Sequence, residues 1–296
     1  MYLNAFIDYL TLEKNYSSHT ILAYQKDIGA FFAFAKANDG DVELHEMHYN
    51  QIRNWIVALV DEGISNRSIN RKISSLKSFY KFLVKIEVID VSPLVKHKAL
   101  KTSKKLQIPF SENEMSEVFD LLSISNDFES LRDLLLLELL YGTGMRRAEL
   151  IGLTISSVDL SQKTIRVIGK RNKERLMPLL SNVCVTIVKY LEKRNEISQN
   201  EKGAPLLITK KGIKLYDTLV YRIINHYFSK TSNKIKKSPH IIRHSFATHL
   251  LNQGAELNTV KDLLGHASLA STQVYTHNSI KTLRNVYSNA HPRNKK

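Results

Sequence analysis

Apolar residues recur at helical spacing through most of the first 90 positions. Leu3, Phe6, Ile7 and Leu10 predict a helix over residues 2–14. Ser17 and Ser18 offer capping hydroxyls to a second helix, which carries Tyr24, Ile28, Phe31, Phe32 and Ala35 and stops at Asn38-Asp39-Gly40. A third covers residues 48–62 and ends at Gly63. A fourth runs from Ser65 to Ile86 with Ile69, Ile73, Leu76, Phe79 or Tyr80, and Leu83 as its stripe. The pattern is lost over residues 91–108, which contain Pro93. It resumes at Ser111, where Glu114 three residues on completes a capping box, and helix is predicted through Tyr141. The period then changes to two over Thr164–Ile168 and Glu174–Leu179, a hairpin joined by Gly169-Lys170-Arg171-Asn172. Further helices are predicted over residues 181–197, 216–230, 239–252, 256–264, 271–276 and 279–289. The fold class is therefore mainly α, with a small β-sheet or hairpin in the C-terminal domain. The organisation is a helical domain over 1–90, a linker over 91–108 and a second domain over 109–296.

Length and composition narrow the class. A chain of 296 residues makes one large domain or two ordinary ones. Its longest apolar stretch, Leu134 to Leu140, is interrupted by Glu138, far short of the roughly 20 residues a membrane span needs. Asp8 and Glu13 fall where a signal peptide would be apolar. Cys184 is the single cysteine, so neither an internal disulfide nor a Cys-rich zinc module can form. A cytoplasmic protein with no membrane partner is expected.

Charge points to a partner. The net charge of +15 suits a polyanion, and nucleic acid is the commonest one. Residues 1–90 carry a net −1, residues 91–108 a net +5 from lysines alone, and the rest a net +11. The first domain is nonetheless polarised. Arg67, Arg71, Lys72, Lys77, Lys81 and Lys85 all lie in its fourth helix, with no acid before Glu87. A run of cations without interleaved carboxylates reads as a phosphate-facing surface. Lys96, Lys98, Lys101, Lys104 and Lys105 make the linker a segment able to track a DNA backbone.

Four separated segments carry candidate chemistry. They are Gly142-Thr143-Gly144-Met145-Arg146-Arg147-Ala148-Glu149-Leu150; Gly169-Lys170; Ser238-Pro239-His240-Ile241-Ile242-Arg243-His244; and Leu264-Gly265-His266, followed nine residues later by Tyr275. Ser238 and Pro239 suit a helix start. His240, Arg243 and His244 then share one arc, while Ile242, Phe246 and Leu250 form a core stripe. Taken alone, that arc is an ordinary polar face, Lys170 a solvated turn residue, His266 a cap of its own helix, and Tyr275 one of 13 tyrosines. His240 and His244 stand at i, i+4, yet no Glu follows His240 and Arg243 between them would repel a cation, so no metal is expected.

Taken together and in order, the segments resemble the tyrosine recombinase family, and within it the Xer branch. The family pattern is an Arg in a TG-x-R-x-x-E-L segment, a Lys on a hairpin, H-x-x-R, G-H and a Tyr shortly after. Arg146, Lys170, His240, Arg243, His266 and Tyr275 fill it. The likeness spans the whole chain, including the ending Ala290-His291-Pro292-Arg293. It departs only at Arg147-Ala148, where relatives often carry an apolar then a small polar residue.

The resemblance implies a two-domain, C-shaped clamp with the recombinase catalytic fold, a SAM-like DNA-binding first domain, and a C-terminal helix that docks into a neighbour. It implies cleavage and rejoining of DNA through a 3′-phosphotyrosyl link, without ATP, metal or cofactor. Tyr275 would be the nucleophile. Arg146 and Arg243 would grip the phosphate, and His266 would donate to it. Lys170 would protonate the leaving oxygen, and His240 would serve as general acid/base or orient Tyr275. Glu149 would support the site from behind, while His244 is read as structural. Arg67, Arg71, Lys72, Lys77, Lys81, Lys101, Lys104 and Lys105 would hold the duplex. The partners implied are a double-stranded recombination site, a homo- or heterotetramer with a second tyrosine recombinase, and a septal DNA translocase. The place of action would be the nucleoid. Rival readings are a mobile-element integrase with the same chemistry, a type IB topoisomerase, and a non-catalytic DNA-binding protein.

Overall fold

A computed structural model describes residues 2–40, 43–103, 107–169, 174–265 and 290–294. The apolar stripes of the first four helices face one another. These are α1 (Tyr2–Asp8), α2 (Ser18–Asp39), α3 (Tyr49–Asp61) and α4 (Asn66–Lys85). Phe6, Phe31, Trp55, Leu76, Phe79 and Tyr80 lie at the centre of their core. Ser17 and Ser65 accept backbone N–H bonds from Thr20 and Ser68, capping α2 and α4. The first helix is shorter than its stripe predicts, because Tyr9–Glu13 winds as a π-turn. Asp27 on α2 is buried and accepts hydrogen bonds from Arg71 and Ser75 of α4.

Residues 92–101 run back along α4. Leu94 is buried, the Asn70 amide both donates to and accepts from the Leu100 backbone (2.8 and 2.9 Å), and Asn66 donates to the Lys101 carbonyl. The chain divides into two compact units, 1–105 and 106–296.

In the second unit, α5 (Glu112–Leu122) starts at the Ser111–Glu114 capping box. The helix predicted through Tyr141 is broken in two. Ser125-Asn126-Asp127 is turn chemistry, and the Asp127 carboxylate accepts the Glu129 and Ser130 N–H groups (2.9 and 3.1 Å) to start α6 (Phe128–Thr143). Helix α6 is buried nearly all round and packs against the two helices α8 (Ser181–Asn195) and α10 (Pro239–Asn252). The short α7 (Arg147–Ile151) follows it, and α9 (Asp217–Thr231) and α11 (Leu257–Leu264) complete the described helices.

The hairpin forms at the predicted place as β2 (Thr164–Ile168) and β3 (Glu174–Pro178). A third strand, β1 (Val158–Asp159), pairs with β2; two residues are too few for alternation to announce. Ile165 stands opposite Met177 and Val167 opposite Arg175, all four on the buried face. Beyond α8, Arg194 is fully buried and donates to the carbonyls of Ser198, Gln199 and Pro205, fixing the loop that follows.

Residues 290–294 seat on this unit. His291 is fully buried against the Tyr141 and Phe246 rings, and Arg293 pairs with the buried Glu138 of α6 (2.9 Å) while stacking over Phe119. Among the described residues no helix is long and apolar enough to cross a membrane, and no three His, Cys, Asp or Glu gather as a metal would need.

Candidate active site

The turn that ends α6 sets the geometry. Gly144 has φ +59°, a left-handed conformation that suits glycine. A Cβ there would lie 2.4 and 2.7 Å from two Phe246 ring carbons and 2.9 Å from a Leu264 methyl. Glycine therefore lets α6 end directly against α10 and α11. Two residues on, Arg146 occupies the N-cap of α7.

Arg243 lies one turn into α10. Its Nη1 donates to the Gly144 carbonyl and its Nη2 to the Leu264 carbonyl (2.7 Å). One guanidinium thus ties together the turn before Arg146 and the turn before position 266. Burial, then the nearby charges of Arg146 and Arg175, push its pKa down to about 10, and Glu149 acts in the opposite sense. It remains a cation at neutral pH.

Glu149 is buried beneath Arg146, with its side chain only 5% exposed. Its Oε2 accepts the Arg146 backbone N–H (2.7 Å) and its Oε1 accepts Arg146 Nη1 (2.9 Å). Arg175 of β3 reaches both oxygens, Nη1 to Oε1 (3.1 Å) and Nη2 to Oε2 (2.8 Å). Burial pushes the Glu149 pKa up. The bonds from Arg175 and Arg146 outweigh that and hold it below its ordinary value. A methyl group on Gly265 would come within 3.3 Å of Arg175 Nη1, so Arg175 also underlies the end of α11.

Three guanidiniums around one carboxylate leave a surplus of positive charge, and a phosphate is the natural ligand for such forks. His240 and His244 are exposed on either side of half-buried Arg243, as the helical arc predicts. Ile242, Phe246 and Leu250 of the core stripe are buried. His249 is buried too, its Nδ1 2.7 Å from the Tyr141 hydroxyl. Lys170, His266, Tyr275 and the helices expected over 271–276 and 279–289 lie outside the described residues.

The basic residues of the first unit fall into groups. Arg67, Lys81 and Lys101 are exposed. Arg71 and Lys72 direct charge to Asp27, although the Arg71 side chain is still half exposed. Lys77 donates to the His97 carbonyl (3.2 Å). Lys104 and Lys105 lie outside the described residues.

Arg175 is the site member that sequence reasoning missed. Its signal was the strand alternation, which turns Arg175 and Met177 inward and Leu176 outward. A charged residue at an inward strand position needs a buried partner.

Residues 110–281 match the phage integrase family, and residues 3–86 match the phage integrase N-terminal SAM-like domain. The chain belongs to the phage integrase family. It is similar to the protein named Tyrosine recombinase XerC of Bacillus pumilus (strain SAFR-032), with 37% identity over 295 residues, 98% of this chain and 96% of the relative. Its fold is similar to that of the XerH site-specific recombinase bound to a palindromic difH substrate in a post-cleavage complex. The TM-score is 0.71 at 23% identity, covering 93% of this chain and 81% of the other. It is also similar to a lambda integrase tetramer bound to a Holliday junction, with TM-score 0.68 at 18% identity, covering 92% and 74%.

Proposed function

We propose that the protein is a site-specific tyrosine recombinase of the Xer type, which cuts and rejoins DNA and resolves chromosome dimers. The observation that carries this reading is the group of three arginines within the segment that matches the family: Arg146 and Arg175 are bonded to the buried Glu149 carboxylate, and Arg243 lies near enough to feel the charges of all three. Whole-length similarity to a XerC supports the Xer assignment over a mobile-element integrase.

Arg146 and Arg243 hold the nonbridging oxygens of the scissile phosphate, aided by His266. Tyr275 attacks phosphorus, the 5′-oxygen leaves with a proton from Lys170, and the 3′-phosphotyrosyl link keeps the bond energy for rejoining. His240 acts as general acid/base or orients Tyr275. The exposed cations of α4 and the lysines after it hold the duplex, which makes binding salt-sensitive. Four recombinase protomers act on two sites, each docking the stretch that follows Tyr275 on a neighbour. A septal DNA translocase controls the reaction at the nucleoid, in the cytoplasm.

Incubation with nicked suicide DNA tests the chemistry. A detergent-resistant adduct is expected, formed equally in EDTA and absent in Tyr275→Phe. An adduct retained by Tyr275→Phe would overturn the nucleophile, and loss in EDTA would bring back a metal. Strand exchange that requires two sites separates this activity from a topoisomerase.

A further inference from the structure

We propose that Arg175 is a positioning residue for DNA cleavage, which acts by occupying Glu149 so that Arg146 keeps an edge free for phosphate. This rests on the reading of Arg146 as a phosphate clamp.

The argument starts from the carboxylate. Glu149 is 5% exposed and carries a depressed pKa, so it is an anion in a place from which water is nearly excluded. Such a group binds every cation in reach. Arg146 is its neighbour at i, i+3, and its guanidinium could lie along both carboxylate oxygens as a planar fork. That arrangement would be a closed, neutral pair. It would compete directly with a phosphate for the same N–H edge.

Arg175 prevents it. Its own fork already spans both oxygens, from the far side. Arg146 is left with a single side-chain bond, Nη1 to Oε1, and its backbone N–H takes the other oxygen. The Arg146 side chain accordingly stays 39% exposed while Arg175 is only 6% exposed. Arg175 is buried, whereas Arg146 is tethered and open. Shared between two arginines, one carboxylate orients Arg146 without neutralising it. Arg175 also lies under Gly265, so the same side chain steadies the turn at the end of α11.

The test compares Arg175→Gln, Arg175→Lys and Arg146→Ala in the full-length protein. Two suicide substrates are used, one ordinary and one with a neutral methylphosphonate at the scissile position. The methylphosphonate lacks the charge that Arg146 is there to meet. Arg175→Gln and Arg175→Lys should bind DNA within a few-fold of the parent but form adduct about a hundredfold more slowly on the phosphodiester. Lysine fails here because a point charge cannot span both oxygens. On the methylphosphonate both defects should shrink to a few-fold, as for Arg146→Ala. An equal defect on both substrates would mean Arg175 merely holds β3 in place and would overturn the proposal, as would parental cleavage by folded Arg175→Gln. If glutamine at this position prevents folding, Arg175→Lys keeps the buried charge and decides alone. If Arg146→Ala itself cleaves normally, the clamp reading fails instead.

Discussion

At the residue scale, the site depends on positions that touch no substrate. Gly144 is the sharpest case. Its left-handed backbone and its contacts with Phe246 and Leu264 leave no volume for a side chain. Gly144→Ala should therefore destabilise the protein by about 3 kcal/mol or more, combining overpacking with a strained φ. A fall in the urea midpoint with an unchanged slope checks this. Cleavage by the residual folded fraction should also be lost, because Arg243 is bonded to the Gly144 carbonyl. Arg146, Arg243 and Glu149 were legible in the sequence because they sit in short, ordered motifs. The reason for Gly144 and the whole of Arg175 were not. Both depend on what lies across the fold, and no local spacing encodes that Phe246 or Glu149 will be the neighbour.

At the scale of elements, a single apolar stripe marks a helix well, the π-turn after α1 excepted, whereas an all-round buried helix or a very short element gives no such mark. Helix α4 alternates its faces cleanly, so its bounds follow from the pattern. Helix α6 is buried on nearly every side and shows no single apolar stripe, so periodicity does not separate it from α5, and the Asp127 cap marks the break. Helix α7 has five residues and β1 two, below the length at which any period shows. The C-terminal segment carries its own prediction. His291 donates Nε2–H to the Tyr141 carbonyl and accepts the Arg293 N–H at Nδ1, so its ring is held neutral. Burial pushes its pKa down to about 4, from an ordinary value of 6.5. Above pH 6.5 the segment is fully stabilised. As pH falls from 6.5 to about 4, the undocked ring takes up a proton that the docked ring refuses, and docking weakens by up to about 1.4 kcal/mol per pH unit. Glu138 and His249 also have shifted pKa values beside it, so the readout is a difference. Unfolding free energies measured from pH 4 to 8 should show a shallower slope below 6.5 in His291→Gln than in the parent. Equal slopes would show that His291 is not the titrating group.

At the scale of the whole molecule, two cores close over contiguous stretches of chain, and the boundary falls at Lys105. The loss of periodicity predicts a linker that begins at residue 91. Leu94 and the Asn70 amide instead stitch the next ten residues into the first unit. A fragment ending at residue 105 should therefore fold cooperatively. One ending at residue 90 should be less stable by about 2–4 kcal/mol, since it strips a buried leucine from the core and leaves the Asn70 amide without its partners. Thermal melts of the two fragments check this. The same stitching governs how such a chain can be recombined with others of its kind. A gene fusion that joins the head of one protein to the chemistry of another would work with its seam after Lys101, where no hydrogen bond to α4 is cut among the described residues. A seam at residue 90 would divide a folding unit. The permissible crossover in this coding sequence is thus set by two asparagine amides, Asn66 and Asn70, whose partners lie ten residues downstream of where the composition changes.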